Sequence, residues 1–205
     1  MATDIIELAG QPGRSAGALM ERSDDLIARA RRGDEEAFRL IFERYTRPVM
    51  RFIFYMVNER ALAEDLAQET FVRAYKNLST LRDEAALSTW LFGIARNVAR
   101  EALRANRQES QRVEFDHLLA VRDEKPSPVG QLLDKELKDV VRHALSKLDE
   151  DQRLTFTLKV YEQRSYDEIS QITGFSIPKI RNDLYRARAE MRRRLSRYLG
   201  VDDEM

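Results

Sequence analysis

The chain has 205 residues, of which 35 are basic and 35 acidic, so the formal net charge at neutral pH is +0. The absence of cysteine excludes a disulfide framework, a thiolate zinc site and a cysteine nucleophile, and it favours a reducing, cytoplasmic compartment. No apolar run is long enough to span a bilayer, so we expect no membrane insertion, and the length allows one large or two small domains.

The amino-terminal part of the chain predicts an extension followed by two helices. Residues 1–22 show no sustained hydrophobic period, and we expect them to be disordered. Ser23 begins the helical pattern, Gly33 ends a first short helix, and Asp34 caps a second helix that breaks at Asn58. The apolar spacing of the second helix predicts one buried face, made of Phe38, Ile41, Phe42 and Tyr45.

A third helix, predicted from about Leu62 to Leu78, has two different faces. One face is apolar and predicts contact with a core. The opposite face is acidic and available for a partner, although a merely solvated face has the same composition. This acidic face consists of Asp65, Gln68, Glu69 and Val72, with Glu64 at its edge.

A fourth helix is predicted from about Thr89 to Gln108, after a loop from Leu81 to Ser88. Trp90 belongs to its apolar side. The far side carries basic side chains at three- and four-residue steps with no acid between them. These cations repel one another, and a phosphate backbone would relieve that repulsion, so nucleic acid is favoured over a bare surface. The arginine row comprises Arg96, Arg100, Arg104 and Arg107.

The period fades over residues 109–130, which contain two prolines and a glycine and predict a linker. A second helical domain follows over residues 131–199. Its predicted second helix draws on an apolar set of Leu154, Phe156, Leu158, Val160 and Tyr161.

The segment from Ser165 to Arg188 predicts two helices joined by a tight turn. Ser165 and Glu168 have the spacing of a capping box, Gly174 supplies the turn, and Ser176 can cap the next helix. A basic face on the second of these helices is typical of a recognition helix that enters the major groove, whereas a solvated helical hairpin is the alternative. That face carries Lys179, Arg181, Arg186, Arg188 and Arg192.

Four segments, taken in order, make the chain resemble the extracytoplasmic-function sigma factors of the sigma-70 family. The resemblance covers about Ser23 to Leu199. It implies an all-α fold of two small helical domains, sigma region 2 and sigma region 4 with its helix-turn-helix, joined by a flexible linker. The segments are Gly33-Asp-Glu-Glu-Ala-Phe, Ala63-Glu-Asp-Leu-Ala-Gln-Glu-Thr-Phe71, Ser88-Thr-Trp-Leu-Phe-Gly-Ile-Ala-Arg-Asn97 and Ser165 to Arg188.

The resemblance also implies partners and roles. The partners would be core RNA polymerase, through its β′ coiled coil and β subunit, promoter DNA, and an anti-sigma factor. The protein would use no cofactor or metal and would catalyse no reaction. The residues implied in polymerase binding are Glu64, Asp65, Gln68 and Glu69.

Region 2 would contact the −10 element, with the loop from Leu81 to Ser88 holding a flipped base and Trp90 acting either as a stacking surface or as a core residue. Its implied DNA contacts are Trp90, Arg96, Asn97, Arg100, Arg104 and Arg107.

Region 4 would contact the −35 element. Asp183 departs from the family pattern, since a carboxylate repels phosphate; it would accept a hydrogen bond from cytosine or pair with Arg186. The implied −35 contacts are Ser176, Lys179, Arg181, Asn182, Asp183, Arg186 and Arg188.

Two other functions remain open at this point. An ordinary helix-turn-helix repressor or activator would bind duplex DNA without polymerase and would not need the acidic face. An enzyme could instead hold a divalent metal with Glu64, Asp65 and Glu69, but no second carboxylate cluster has a recognisable spacing.

Overall fold

The computed structural model describes residues 23–81, 83–112 and 139–199, and all regular structure within these ranges is helical, as predicted. Short 3₁₀ turns at Leu78–Thr80 and Glu84–Ala86 lie between the third and fourth helices, and one π-helical turn, Thr157–Tyr161, extends the sixth. The helices are α1 (Ser23–Arg31), α2 (Glu35–Val57), α3 (Arg60–Asn77), α4 (Leu87–Arg112), α5 (residues 139–146), α6 (Glu150–Phe156), α7 (Tyr166–Thr173) and α8 (Ile177–Leu199).

Two expectations fall wholly or mostly outside these ranges. The predicted extension, residues 1–22, and most of the predicted linker are not among the described residues. The start of the linker was wrongly placed, because residues 109–112 continue α4 as helix. Helix α4 also begins at Leu87, two positions earlier than its predicted start at Thr89.

The boundaries of α1 and α2 follow the predicted local signals. Gly33 has a φ of +90°, which a glycine adopts without strain. The Asp34 carboxylate accepts a hydrogen bond from the Ala37 amide at 3.1 Å, and Arg29 holds the pKa of Asp34 below its usual value through a side-chain hydrogen bond. Pro48 lies inside α2 without ending it, and Asn58 terminates the helix in a left-handed conformation.

The first domain, α1 to α4, is built around side chains that α2 and α4 bury together. Phe52, Ile53 and Met56 on α2 are fully buried, and so is Phe92 on α4. The Phe52 and Phe92 rings meet edge to face with their centroids 5.4 Å apart. This packing fixes α4 relative to α2 and leaves the arginine side of α4 turned away from the first-domain core.

The second domain, α5 to α8, packs against the first domain rather than standing apart from it. Its smaller apolar cluster includes Leu145, Phe156 and Met191. A further set of its buried side chains belongs to the same cluster as the first-domain core, so apolar packing is continuous between the domains. That set is Leu154, Leu158, Ile169, Ile172, Ile180 and Leu184.

The π-helical turn after α6 changes which side chains face the core. The Glu162 amide donates to the Thr157 carbonyl at 3.2 Å, a five-residue step that rotates the following side chains relative to an α-helix. Leu158 is therefore fully buried, whereas Val160 is 43% exposed. Val160 is thus the member of the predicted apolar set that lies at the surface.

The predicted capping box at the start of α7 is complete. The Glu168 amide donates to the Ser165 hydroxyl at 3.1 Å, and the Ser165 amide donates to the Glu168 carboxylate at 2.8 Å. Gly174 ends α7 with a φ of +74°. The Ser176 hydroxyl accepts from the Lys179 amide at 3.4 Å, a longer bond at the start of α8.

Replacing Ser165 with alanine should lower the free energy of unfolding by about 1 kcal/mol, because it leaves the Glu168 amide without its partner. Ser176→Ala is the matched control and should cost less, since its bond is longer. Urea unfolding of the full chain, followed by circular dichroism, measures both. Equal losses for the two variants would contradict this account of the helix-turn-helix.

Candidate nucleic-acid and partner surfaces

Helix α3 has the two faces predicted for it. Ala63, Leu66 and Phe71 are among the side chains that it buries against the first-domain core. Asp65 and Gln68 lie on the opposite, exposed face. Asp65 has no hydrogen-bond or ion-pair partner among the described residues, so its charge is available to a partner molecule.

The other two acids of α3 form ion pairs along the helix. Arg60 donates to Glu64 at 2.9 Å, which holds this carboxylate at the edge of the face. Arg73 donates to Glu69 on α3 and to Glu101 on α4, in each case at a shortest distance of 2.6 Å. These bonds raise the pKa of Arg73 and lower the pKa of Glu101. Arg73 therefore ties α3 to α4 while Glu69 stays at the surface.

An apolar groove borders the acidic face, and the sequence prediction missed it. Phe42 was assigned to a buried face but is 38% exposed, and Val72 and Tyr75 on α3 are about half exposed. The Phe42 ring packs edge to face on Phe71, with 4.7 Å between centroids, and so stands at the surface instead of entering the core. The groove has a volume of about 460 Å³ and is lined by Glu35, Phe38, Phe42, Gln68, Phe71, Val72, Tyr75 and Lys76.

One sequence signal could have indicated this groove. Val72 falls on the acidic face of α3, where an apolar side chain has no intramolecular reason to be. Exposed apolar side chains that are contiguous and rimmed by polar groups mark interaction surfaces. Gln68 lines the groove and also belongs to the acidic face, so the two form one surface, which we call the docking face.

The −10 candidates on α4 occupy different environments. Trp90 is half-buried and packs against the first-domain core, which favours the core interpretation over the stacking one. Asn97, Arg104 and Arg107 are exposed. Arg96 and Arg100 are half-buried beneath the second domain.

Second-domain groups engage most of the arginine row. Arg96 donates to the main-chain carbonyl of Ile172 at 3.0 Å. Arg100 donates to Glu150 at 2.6 Å and to Asp151 at 3.4 Å, and Arg107 lies 3.3 Å from Glu150. The sequence analysis named a phosphate backbone as the group that would relieve the repulsion within the row, whereas in this structure two acids of α6 pair with it.

Burial lowers the pKa of Arg96. Loss of hydration lowers the pKa of its guanidinium, and the neighbouring Arg100 lowers it further. The buried Nε of Arg96 has no hydrogen-bond partner among the described residues. Arg96 is consequently a partly desolvated cation in this arrangement.

The loop before α4 is shorter than predicted, because α4 begins at Leu87. Leu81 and Leu87 are both buried and fix its two ends to the core, with the 3₁₀ turn Glu84–Ala86 between them. Ser88 already belongs to α4, and its hydroxyl accepts a hydrogen bond from Arg164 of the second domain. The predicted base-holding segment therefore ends beside the second domain.

The basic face of α8 is largely exposed. Ser176 lies exposed at its start, and Arg181, Asn182, Arg186 and Arg188 project from it into solvent. Tyr185, which the sequence prediction did not single out, is 75% exposed in the middle of this set. An aromatic ring between cations and an amide adds apolar contact area to a surface suited to DNA.

Asp183 does not belong to that exposed face. It is only 7% exposed and accepts a hydrogen bond from Lys179 at 2.6 Å. In this structure Asp183 therefore pairs with Lys179 and not with Arg186, while its contact with a base stays a prediction. Lys179 also lies 3.1 Å from Asp151. Burial opposes the shift, but these two carboxylates raise the pKa of Lys179.

Two other kinds of site were sought in the described ranges. No group of three or more histidine, aspartate or glutamate side chains there is placed to hold a metal ion. None of the described helices is long and apolar enough to cross a membrane.

Comparison with known proteins adds independent information. Residues 41–109 match the family model for sigma-70 region 2, and residues 138–191 match the model for sigma-70 region 4. The RNA polymerase sigma-H factor of Pseudomonas aeruginosa is 31% identical over 178 residues, which are 82% of this chain and 91% of that protein. The ECF RNA polymerase sigma-E factor of Escherichia coli K12 is 31% identical over 170 residues, 80% of this chain and 88% of that protein.

A solved structure is similar over most of the chain. The sigma factor RpoE of Bartonella quintana, in complex with the anti-sigma factor NepR, matches with a TM-score of 0.63 and 25% identity, covering 78% of this chain and 96% of that one. Together with the two relatives and the two matched regions, this establishes the family. The chain belongs to the extracytoplasmic-function group of the sigma-70 family of RNA polymerase sigma factors.

Proposed function

We propose that this chain directs bacterial core RNA polymerase to promoters by docking through α3 and contacting the −10 and −35 elements through α4 and α8. The observation that carries the proposal is the presence, in one chain, of an acidic and apolar docking face and two cationic helix faces. A repressor needs the helix-turn-helix but has no use for the docking face. A sigma factor needs all three surfaces.

The docking face fits an α-helical, basic partner such as the β′ coiled coil of the core enzyme. An amphipathic helix places apolar anchors into a groove of this kind, and Phe42, Val72 and Tyr75 supply its apolar walls. Asp65 and Glu69 beside the groove would steer the encounter and set its register. Glu64, paired with Arg60 at the edge, contributes less.

Promoter contacts are divided between the two domains. On α4, Asn97 would contact the −10 strand, and Arg104 and Arg107 would contact its phosphates, with Arg96 and Arg100 joining them once the second domain has moved away. On α8, Arg181 and Asn182 are the base-reading candidates, because arginine suits guanine and asparagine suits adenine. Arg186, Arg188 and Ser176 would contact the −35 backbone.

No covalent chemistry belongs to this subunit in the proposal. Its contribution is binding and positioning, and the polymerase core forms the RNA bonds. Because the core polymerase works in the cytoplasm, a cytoplasmic location is part of the same proposal. An anti-sigma factor is a further proposed partner, supported by the similarity to a sigma factor solved with one.

Run-off transcription on the DNA upstream of the chain's own gene tests the proposal. With core polymerase and this protein together, a discrete transcript should appear; with either alone, none should. The absence of a transcript together with tight duplex binding by the free protein would instead identify a polymerase-independent regulator.

Val72→Asp should weaken binding to core polymerase by about tenfold or more, because it places a charge on an apolar anchor. Val72→Thr has the same shape and should weaken binding by less than about threefold. Binding is measured with labelled protein titrated with core enzyme, and thermal unfolding checks the fold of both variants. Unchanged affinity for Val72→Asp would show that core polymerase does not bind at this part of α3.

The variants Asn182→Ala and Asp183→Asn test which of these two residues contacts a base and which one stabilises the helix. Asn182 is exposed, so its loss should reduce discrimination at one −35 position by about 1–3 kcal/mol while leaving thermal stability unchanged. Asp183 is buried against Lys179, so Asp183→Asn should lower stability and change all promoters alike. Transcription from a library randomised in the −35 element measures both. A change of preference at a single base for Asp183→Asn would contradict the structure.

A further inference from the structure

Lys179 lies in the first turn of α8, beside the exposed basic face, but its charge is already engaged within the protein. Its Nζ donates to the Asp183 carboxylate at 2.6 Å and lies 3.1 Å from the Asp151 carboxylate at the start of α6. The same Nζ lies over the Phe175 ring, 4.4 Å from its centroid. Two carboxylates and an aromatic face therefore contact an ammonium group that the sequence analysis assigned to −35 DNA.

The aromatic ring below Lys179 is held in place by the turn of the helix-turn-helix. The Phe175 amide donates to the Thr173 hydroxyl at 3.1 Å, and the Ser170 hydroxyl donates to the Phe175 carbonyl at 2.7 Å. The ring itself is partly buried against the core. Phe175 is consequently a fixed neighbour of Lys179, because its main chain is bonded on both sides.

Asp183 depends on Lys179 for its neutralisation. Asp183 is only 7% exposed, and Lys179 is its sole hydrogen-bond or ion-pair partner among the described residues. Asp151 differs, since it also lies 3.4 Å from Arg100. A buried carboxylate that loses its partner is costly, and on a DNA-binding helix it also repels phosphate. Asp183 thus needs a cation of its own.

The position of Lys179 in the helix points to the same role. The first turn of a helix carries a partial positive charge, which disfavours a lysine there. Burial alone would lower the pKa of Lys179, but the hydrogen bonds to Asp183 and Asp151 raise it, so the side chain stays charged. The two carboxylates therefore offset both the desolvation of this ammonium group and its unfavourable position.

Other cations of the basic face lack such partners. Arg186 and Arg188 are exposed, and neither has a hydrogen-bond or ion-pair partner in the part of the chain that the structure describes. They can bind phosphate without giving up an internal bond. Lys179 could do so only by leaving Asp183 buried and uncompensated.

We propose that Lys179 is not a −35 contact but the internal counter-ion of α8, which neutralises Asp183 and Asp151 so that the recognition helix can approach DNA phosphates. The inference rests on the proposed −35 surface of α8 and removes one residue from it. Lys179 acts on DNA binding through the two acids, by cancelling the repulsion that they would exert on the phosphate backbone.

The test is the salt dependence of binding of the full chain to a labelled, random-sequence DNA duplex, which requires neither polymerase nor a known promoter. Each phosphate contact contributes about 0.9 to the slope of log affinity against log salt concentration. Lys179→Met/Asp183→Asn removes the cation together with its carboxylate and keeps the net charge, so it should retain the wild-type slope and affinity. Arg186→Met removes an exposed cation and should lower the slope by about 0.9.

The single variant Lys179→Met tests the action through Asp183. It leaves this carboxylate without a counter-ion, so duplex affinity should fall several-fold, and adding Asp183→Asn should restore it. Thermal unfolding shows whether each variant is folded at the temperature of the binding assay. If Lys179→Met does not fold, the slope of the double variant against that of Arg186→Met still decides.

Three results would overturn the inference. A slope that falls in Lys179→Met/Asp183→Asn as far as in Arg186→Met would show that Lys179 contacts a phosphate. A folded Lys179→Met variant with wild-type affinity would show that the lysine only stabilises the helix. An unchanged slope for Arg186→Met would reject the basic face of α8 as a DNA surface, and with it the surface on which the inference rests.

Run-off transcription with core polymerase keeps this inference distinct from the proposed function. A transcript from the wild type, together with a lowered slope for the double variant, would retain the sigma role and reject the counter-ion. A retained slope and rescue by Asp183→Asn, without any transcript, would do the reverse.

Discussion

Helix α4 is packed on two sides, and this packing decides which groups of the arginine row are exposed. Its apolar side, with Phe92 at the centre, is buried by α2. Its arginine side is covered by α6 and α7, through the bonds of Arg96 and Arg100. In this arrangement Arg96 and Arg100 cannot reach a duplex, whereas Arg104 and Arg107 stay exposed. The docking face on α3 is turned elsewhere and remains free.

The chemistry of the interface suits a reversible closure. Ion pairs that are partly buried lose much of their stabilisation to desolvation, whereas removing one partner leaves an uncompensated charge that costs more than the pair contributes. Opening alone would therefore expose Arg96 and Arg100 without partners, and promoter phosphates would replace the lost carboxylates. The carboxylates of α6 and promoter phosphates would thus neutralise the same arginine side chains.

Local features were predictable from the sequence, and contacts between distant segments were not. The capping box of Ser165 and Glu168 and the caps at Asp34 and Asn58 depend on neighbours a few residues away. The pairing of Arg100 with Glu150 joins residues 50 positions apart, and no periodicity indicates it. Phe42 was wrongly assigned to the buried face. The spacing of apolar residues shows which face of a helix they share, but it does not show how much of that face the core covers. The partner of Asp183 also differs from the predicted Arg186, because the carboxylate is buried and pairs with Lys179 instead.

The central claim is that the second domain covers α4 in the free protein and leaves it in the polymerase complex. The absence of native cysteine allows unique labels at the exposed positions Ser79 and Gln171, one in each domain, introduced as Ser79→Cys and Gln171→Cys. Fluorescence energy transfer between these labels is the direct measurement. The account predicts a short distance in the free protein and a longer one with core polymerase. The same distance in both states would contradict it.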